Sequence, residues 1–204
     1  MKKKITILLS AIALCIGNNV SAQAVSQGNI IIDPYYGYPN FGSTFAKSLE
    51  GTVDNINVTG IGPAGLRAEY MVADNFGLGI DFIYNSVNVK GTSDSLNTDG
   101  TVYKTYDVKT FAQRYRVHLR MNYHFVSTDA VDAYVGFGVG TNIRRFGVVT
   151  DYPNFDDSAV SGALIPISAR LALGMRYYFT ENIGLNLELG IGGPVMSGGL
   201  SLKF

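Results

Sequence analysis

The chain has 204 residues, and its 16 lysines and arginines are balanced by 16 aspartates and glutamates. That balance leaves no basic footprint for nucleic acid, and the length suits one domain. The 24 glycines and 13 tyrosines, with no tryptophan, fit strands and turns better than helices, because glycine costs about 1 kcal/mol against alanine inside a helix.

Lys2, Lys3 and Lys4 precede an apolar run over residues 5–16, and Val20-Ser21-Ala22 then places small or aliphatic residues where a signal peptidase reads. Charge, short apolar core and A-x-A-like site, in that order, make a secretory signal peptide. The core is too short for a spanning helix, which needs about 20 residues. Cleavage is expected after Ala22, leaving residues 23–204 as a single barrel domain. Cys15, the one cysteine, leaves with the segment, and Leu14 before it argues against a lipidation site. The remaining chain has no thiol for a disulfide or a metal.

Beyond residue 22, period-two alternation recurs and predicts eight strands, over residues 29–38, 61–72, 76–89, 109–125, 131–149, 166–179, 183–191 and 195–204. Pro34 makes the first the weakest, since proline belongs at edges or bulges. In the last, Met196, Gly198, Leu200, Leu202 and Phe204 alternate with Ser197, Gly199, Ser201 and Lys203. Connections at 73–75, 126–130 and 180–182 are tight. Long polar stretches at 39–60, 90–108 and 150–164 alternate with them, and the last hairpin, Gly192-Gly193-Pro194, is short. Short turns on one rim and long loops on the other are the pattern of an outer-membrane barrel, with both termini on the short-turn side.

One face of the strands is apolar. The other carries Arg67, Glu69, Asp81, Arg114, Arg116, His118, Arg120, His124, Asp132, Arg144, Arg170, Arg176 and Glu188. In a soluble eight-stranded barrel, such as a lipocalin, these charges would be solvated outside; in a membrane barrel they face inward. The aromatics decide between the two. Tyr70, Phe76, Tyr123, Phe125, Tyr177, Phe179 and Phe204 share the parity of the apolar face and cluster at the short-turn rim, as an interfacial girdle would. Tyr36, Tyr84 and Tyr115 make a fainter second ring. Ten residues separate Phe125 from Tyr115, which at ~3.3 Å each and ~45° tilt covers ~23 Å, close to the ~25 Å apolar band of such barrels.

Pairing Phe125 with Val131 across the second turn sets Arg120 against Gly136 and Arg116 against Gly140, giving the long arginines room. The same reasoning sets Arg67 opposite Asp81, His124 opposite Asp132, and Arg176 diagonal to Glu188. Buried charges are costly unless paired, so these residues, with Arg114 and His118, are expected to form a structural interior network.

The chain resembles the OmpA/OmpX-type family of small bacterial outer-membrane β-barrels over all its residues after the signal segment. Residues 196–204, ending in Phe204, resemble the terminal strand that assembly machinery recognises. The resemblance implies an all-β, eight-stranded antiparallel up-and-down transmembrane barrel in the outer membrane, in contact with lipid and lipopolysaccharide, with a charged plug rather than a pore.

No catalytic constellation emerges. Both histidines lie on the inward face, and the outward face has little polarity beyond Gln113 and Thr141, so no nucleophile–base pair of a lipid A-modifying enzyme is in view. Gly136-Phe137-Gly138-Val139-Gly140 lacks the spacing and strand-to-helix context of a dinucleotide fingerprint. Scattered acids, including Asp151, Asp156 and Asp157, make no metal set, and no cofactor is expected. The favoured function is a monomeric, non-enzymatic structural or surface-interaction barrel, whose loop aromatics Tyr103, Tyr106, Tyr152 and Phe155 are available to a surface ligand or protein. A narrow passive channel, weakly anion-preferring because the inward charge leans positive, is the alternative, and a lipid A-modifying enzyme is the less favoured one.

Overall fold

The computed structural model describes residues 23–50, 55–96, 100–153, 158–162 and 166–204. The expected signal peptide (1–22), Phe155, Asp156, Asp157 and the side chain of Tyr103 lie outside the described residues.

Among the described residues, eleven strands and one helix follow in chain order: β1 (Ile30–Tyr38), α1 (Phe41–Glu50), β2 (Asn57–Thr59), β3 (Ala64–Ala73), β4 (Phe76–Leu96), β5 (Val102–Ser127), β6 (Val131–Thr141), β7 (Ile143–Thr150), β8 (Ser158–Gly162), β9 (Ile167–Tyr178), β10 (Ile183–Ile191) and β11 (Met196–Lys203). Eight of them, β1, β3, β4, β5, β6, β9, β10 and β11, pair antiparallel in that order. β11 returns to β1 and closes the barrel. The remaining three, with the ends of β4 and β5, form a sheet that continues past the long-loop rim.

β1 forms despite Pro34. It pairs with β3 throughout, Pro34 opposite Leu66, but its ladder to β11 is interrupted at Asp33 and Pro34, where proline has no N–H to give. The predicted strand over 131–149 breaks at Asn142. Up to Thr141 the chain runs between β5 and β9, and from Ile143 it runs between β5 and β8.

The three stretches read as loops carry structure. Residues 90–108 are mostly a continuation of the β4–β5 hairpin, with Lys90 opposite Lys109 and Asp94 opposite Thr105. Thr105 Oγ1 donates to Asp94 Oδ1 at 2.6 Å. Apart from Val102, Tyr106 and Val108 the described part of this ribbon is largely polar, so a sustained alternation that marks a half-buried strand is missing from its sequence. Residues 39–60 hold α1 and β2. Asn40 caps the helix, its Oδ1 accepting from the Ser43 N–H, while its Nδ2 donates to the Ile61 and Ser86 carbonyls at 2.7 and 2.9 Å. Residues 150–164 contain β8.

The barrel's short-turn end is closed by the segment before β1. Ala24 and Val25 are fully buried against Ile31, Met71 and Tyr178. The Ala24 N–H donates to the Thr128 carbonyl, and Lys203 Nζ donates to the Ala24 carbonyl at 2.8 Å.

Candidate functional site

Alternation along eight strands turns one set of side chains into the barrel and the other outward, and the charged set is inside. Asp33, Arg67, Glu69, Asp81, Arg120, His124, Asp132, Arg170, Arg176 and Glu188 are each at most 4% exposed. Leu78, Leu119, Phe137, Leu173, Leu187 and Leu200, all outward, are more than 40% exposed. Charges taken out of water must find partners, and here they fall into two hubs.

The first hub lies toward the short-turn end, on Arg176. Its guanidinium reaches Asp33 Oδ2 at 2.9 Å, Glu69 Oε2 at 2.6 Å and Asp132 Oδ2 at 2.8 Å, and it stacks on the Tyr134 ring at 4.5 Å. His124 bridges two of those carboxylates, Nδ1 to Asp132 at 2.6 Å and Nε2 to Glu69 at 3.0 Å. Ser201 donates to Asp33 Oδ1 at 2.6 Å.

The second hub is midway up the barrel, on Glu188. Arg170 Nη2 donates to it at 2.6 Å and Arg120 Nη2 at 2.8 Å, while Arg67 Nη1 stands 3.4 Å away and the Tyr134 hydroxyl donates at 3.1 Å. Asp81 receives Arg120 at 3.3 Å and the Tyr35 hydroxyl at 2.6 Å. Arg67 lies over the Tyr35 ring at 3.9 Å and donates to Ser197 Oγ. Forked donors on paired acceptors suit buried guanidinium–carboxylate contacts.

Nearer the long-loop rim the character changes. Arg116 is buried, and its Nη1 donates to the Gly192 carbonyl at 2.7 Å. Arg114 Nε donates to Asn142 Oδ1 at 2.7 Å. His118 Nε2 and Ser168 Oγ are 2.5 Å apart. No described carboxylate lies within ion-pair distance of Arg114, Arg116 or Arg144.

The expected pairs are met in part. Arg67 stands opposite Asp81 in register, and His124 touches Asp132, although its cross-strand partner is Tyr134. The β5–β6 register is two residues from the expected one. The turn pairs Ser127 with Asp132, three residues on from the expected partner, and a one-residue bulge between His124 and Val126 takes back one, so Arg120 lies opposite Gly138 and His118 opposite Gly140. Arg176 is diagonal to Glu188 in sequence register but serves Asp33, Glu69 and Asp132, while Glu188 is held by Arg67, Arg120 and Arg170. The expectation that Arg114 and Arg116 join the paired network fails. They lie above the last described inward carboxylate of their neighbours, and their acceptors among the described residues are neutral, Asn142 Oδ1 and the Gly192 carbonyl. Asp33 and Tyr134 were not singled out. Asp33 was obscured by Pro34; Tyr134 shares the parity of Asp132 and Gly136 and was findable from that.

Each described core carboxylate is bonded to arginine, histidine, tyrosine or serine. Tyr70, Phe76, Tyr123, Phe125, Tyr177, Phe179 and Phe204 all point outward around the short-turn rim, Phe76 opposite Tyr123. Tyr84 and Tyr115 lie 5.0 Å apart near the other rim. Tyr106, expected to be free for a partner, is instead buried against Tyr152 at 4.7 Å with Lys104 over its ring. Tyr152 is half-exposed.

The family model of the outer membrane protein beta-barrel domain matches residues 7–193. The chain belongs to that family. No curated protein matches this barrel in sequence. Among solved structures it is similar to the N-terminal barrel domain of Pseudomonas aeruginosa OprF, at 15% identity over 88% of this chain and 99% of that one, TM-score 0.40. It is also similar to Yersinia pestis Ail, solved in complex with the heparin analogue sucrose octasulfate, at 13% identity over 87% and 99%, TM-score 0.43. Pseudomonas aeruginosa OprG matches at 15% identity over 91% and 99%, TM-score 0.42.

Proposed function

We propose that this outer-membrane barrel, exported through residues 1–22 and inserted as residues 23–204, is a monomeric, non-enzymatic platform that presents a sheet at the cell surface. The observation that carries this reading is the extension of β2, β7, β8 and the ends of β4 and β5 past the long-loop rim. From Tyr84, near the long-loop rim, β4 continues to Leu96, roughly 40 Å of strand at ~3.4 Å per residue. On β5 that ribbon continues into β7 and then β8, whose five residues are all exposed. Lipid fits the outward apolar band, since a soluble monomer rarely exposes contiguous apolar patches beyond a few hundred Å².

In this reading the short turns face the periplasm, and the aromatics at the two rims sit at the headgroup levels, the outer set against lipopolysaccharide. The two charge hubs fill the barrel as a structural network, and β11 with Phe204 is the strand read by the assembly machinery. The filled interior disfavours a channel. With the outward Thr141 hydroxyl accepting from the Val117 N–H and Gln113 accepting from the Tyr115 hydroxyl, lipid-facing nucleophilic chemistry has no support.

Single-channel recording of the refolded protein in a planar bilayer tests the reading. A silent bilayer, together with protease cleavage between Asp94 and Asp107 on intact cells, is the expected result. Steady openings at a reproducible conductance would overturn it in favour of the channel.

A further inference from the structure

The barrel interior divides its charge unevenly. Deeper in, four arginines (Arg67, Arg120, Arg170 and Arg176) share five carboxylates, and each of the four stands within 4 Å of at least one. Toward the long-loop rim Arg114, Arg116 and Arg144 share the inward parity and have no carboxylate among the described residues.

The arrangement is more than an absence. Arg114 and Arg144 are direct cross-strand partners on β5 and β7, and like charges placed directly opposite destabilise a sheet pair. Arg116 follows two residues from Arg114 on the same face. It is 97% buried, and its Nε has no acceptor. The Nε of Arg144 is likewise buried without one. Buried donors left unmade cost free energy, and a guanidinium offers its donors in a planar fork matched to phosphate or carboxylate oxygens. Nearby acceptors are already engaged. Asn142 Oδ1 takes Arg114, Ser168 Oγ is held between His118 Nε2 and the Thr141 carbonyl, and the Gly192 carbonyl takes Arg116.

We propose that Arg114, Arg116 and Arg144 form a binding site for a tetrahedral oxyanion, of the phosphate or sulfate class, in the long-loop mouth of the barrel. The anion relieves the opposed charges and takes the free Nε–H donors. A phosphorylated lipid headgroup at the outer leaflet and a free inorganic anion present the same chemistry to this site. The inference stands apart from the conductance reading, which concerns the deeper hubs.

The test is a titration of the protein, ¹⁵N-labelled at arginine, in a nonionic maltoside detergent at constant ionic strength. Inorganic phosphate is the first probe, and dihexanoylphosphatidylglycerol below its micellar concentration is the second. The Nε–H signals of Arg116 and Arg144 are expected to shift and saturate, while those of Arg120 and Arg176, already paired, stay still. A response to inorganic phosphate supports the site with a free anion as its ligand; a response to the phospholipid alone supports it with a headgroup. Arg144→Gln, a half-buried position where one of two opposed charges is removed, keeps the barrel folded and weakens binding by about tenfold or more, as loss of a charged hydrogen bond implies. Arg116→Gln acts in the same direction; should it fail to fold, Arg144→Gln still decides. No saturable shift with either probe, or equal shifts at Arg120 and Arg176, overturns the proposal.

Discussion

Replacing Glu188 by glutamine keeps the shape of the central acceptor and removes its charge. In the folded protein the Glu188 carboxylate receives Arg170 at 2.6 and 3.0 Å, Arg120 at 2.8 and 3.2 Å, and the Tyr134 hydroxyl at 3.1 Å, and all of these groups are buried. Arg170 keeps the Pro194 carbonyl, and Arg120 keeps Asp81 and Asn122, but three guanidinium groups then share one weakly placed anion, Asp81. Breaking a buried pair from one side costs about 3–5 kcal/mol, a change of about two to three and a half powers of ten in the unfolding equilibrium. With an m-value of about 1–3 kcal/mol per molar urea, the midpoint falls by at least ~1 M. The measurement is equilibrium urea unfolding in phosphatidylcholine vesicles, read by the mobility of unheated samples on a gel. Glu181→Gln, in an exposed turn, is the control and stays within about 0.5 kcal/mol. Removing Arg170 as well should recover part of the loss, because deleting both charges is less damaging than deleting one. A Glu188→Gln loss under ~1 kcal/mol, or a double variant worse than additive, would refute the claim that this hub stabilises through charge pairing.

Two further outcomes follow from the same geometry. Leu119→Arg, midway along the outward face of β5, should cost about 2–4 kcal/mol, as arginine does at a bilayer midplane, whereas Val160→Arg on exposed β8 should stay within about 0.5 kcal/mol; equal effects in vesicle unfolding would contradict lipid on the outside. A Cβ at Gly174 would run into the Tyr134 ring, so Gly174→Val should cost about 1–3 kcal/mol through overpacking. Most of that cost should vanish in a Tyr134→Leu background, and its persistence there would place the strain elsewhere.

Much of this molecule is written locally. Period-two alternation is a property of neighbouring residues, so strand number, the inward set of charges and the outward aromatics at Tyr123, Phe125, Tyr177 and Phe179 were all legible before any fold was known. Alternation carries no record of which strand lies beside which residue. The turn between β5 and β6 and the one-residue bulge at His124–Val126 together leave the register two residues from the expected one, an even offset that keeps side chains on their expected faces while changing their partners. That is why Arg176 was identified as an inward charge but its three carboxylates, contributed by β1, β3 and β6, were not. It is also why Arg114 and Arg116 read as members of a paired network. Whether a carboxylate meets them depends on the stagger of strands far apart in sequence, and among the described residues the tertiary structure brings Asn142 and the Gly192 carbonyl to them. The sheet beyond the long-loop rim stayed hidden for the complementary reason: a largely polar, exposed ribbon needs no sustained apolar side, so its hydrogen-bonded pairing, formed on folding, is what distinguishes it from a loop.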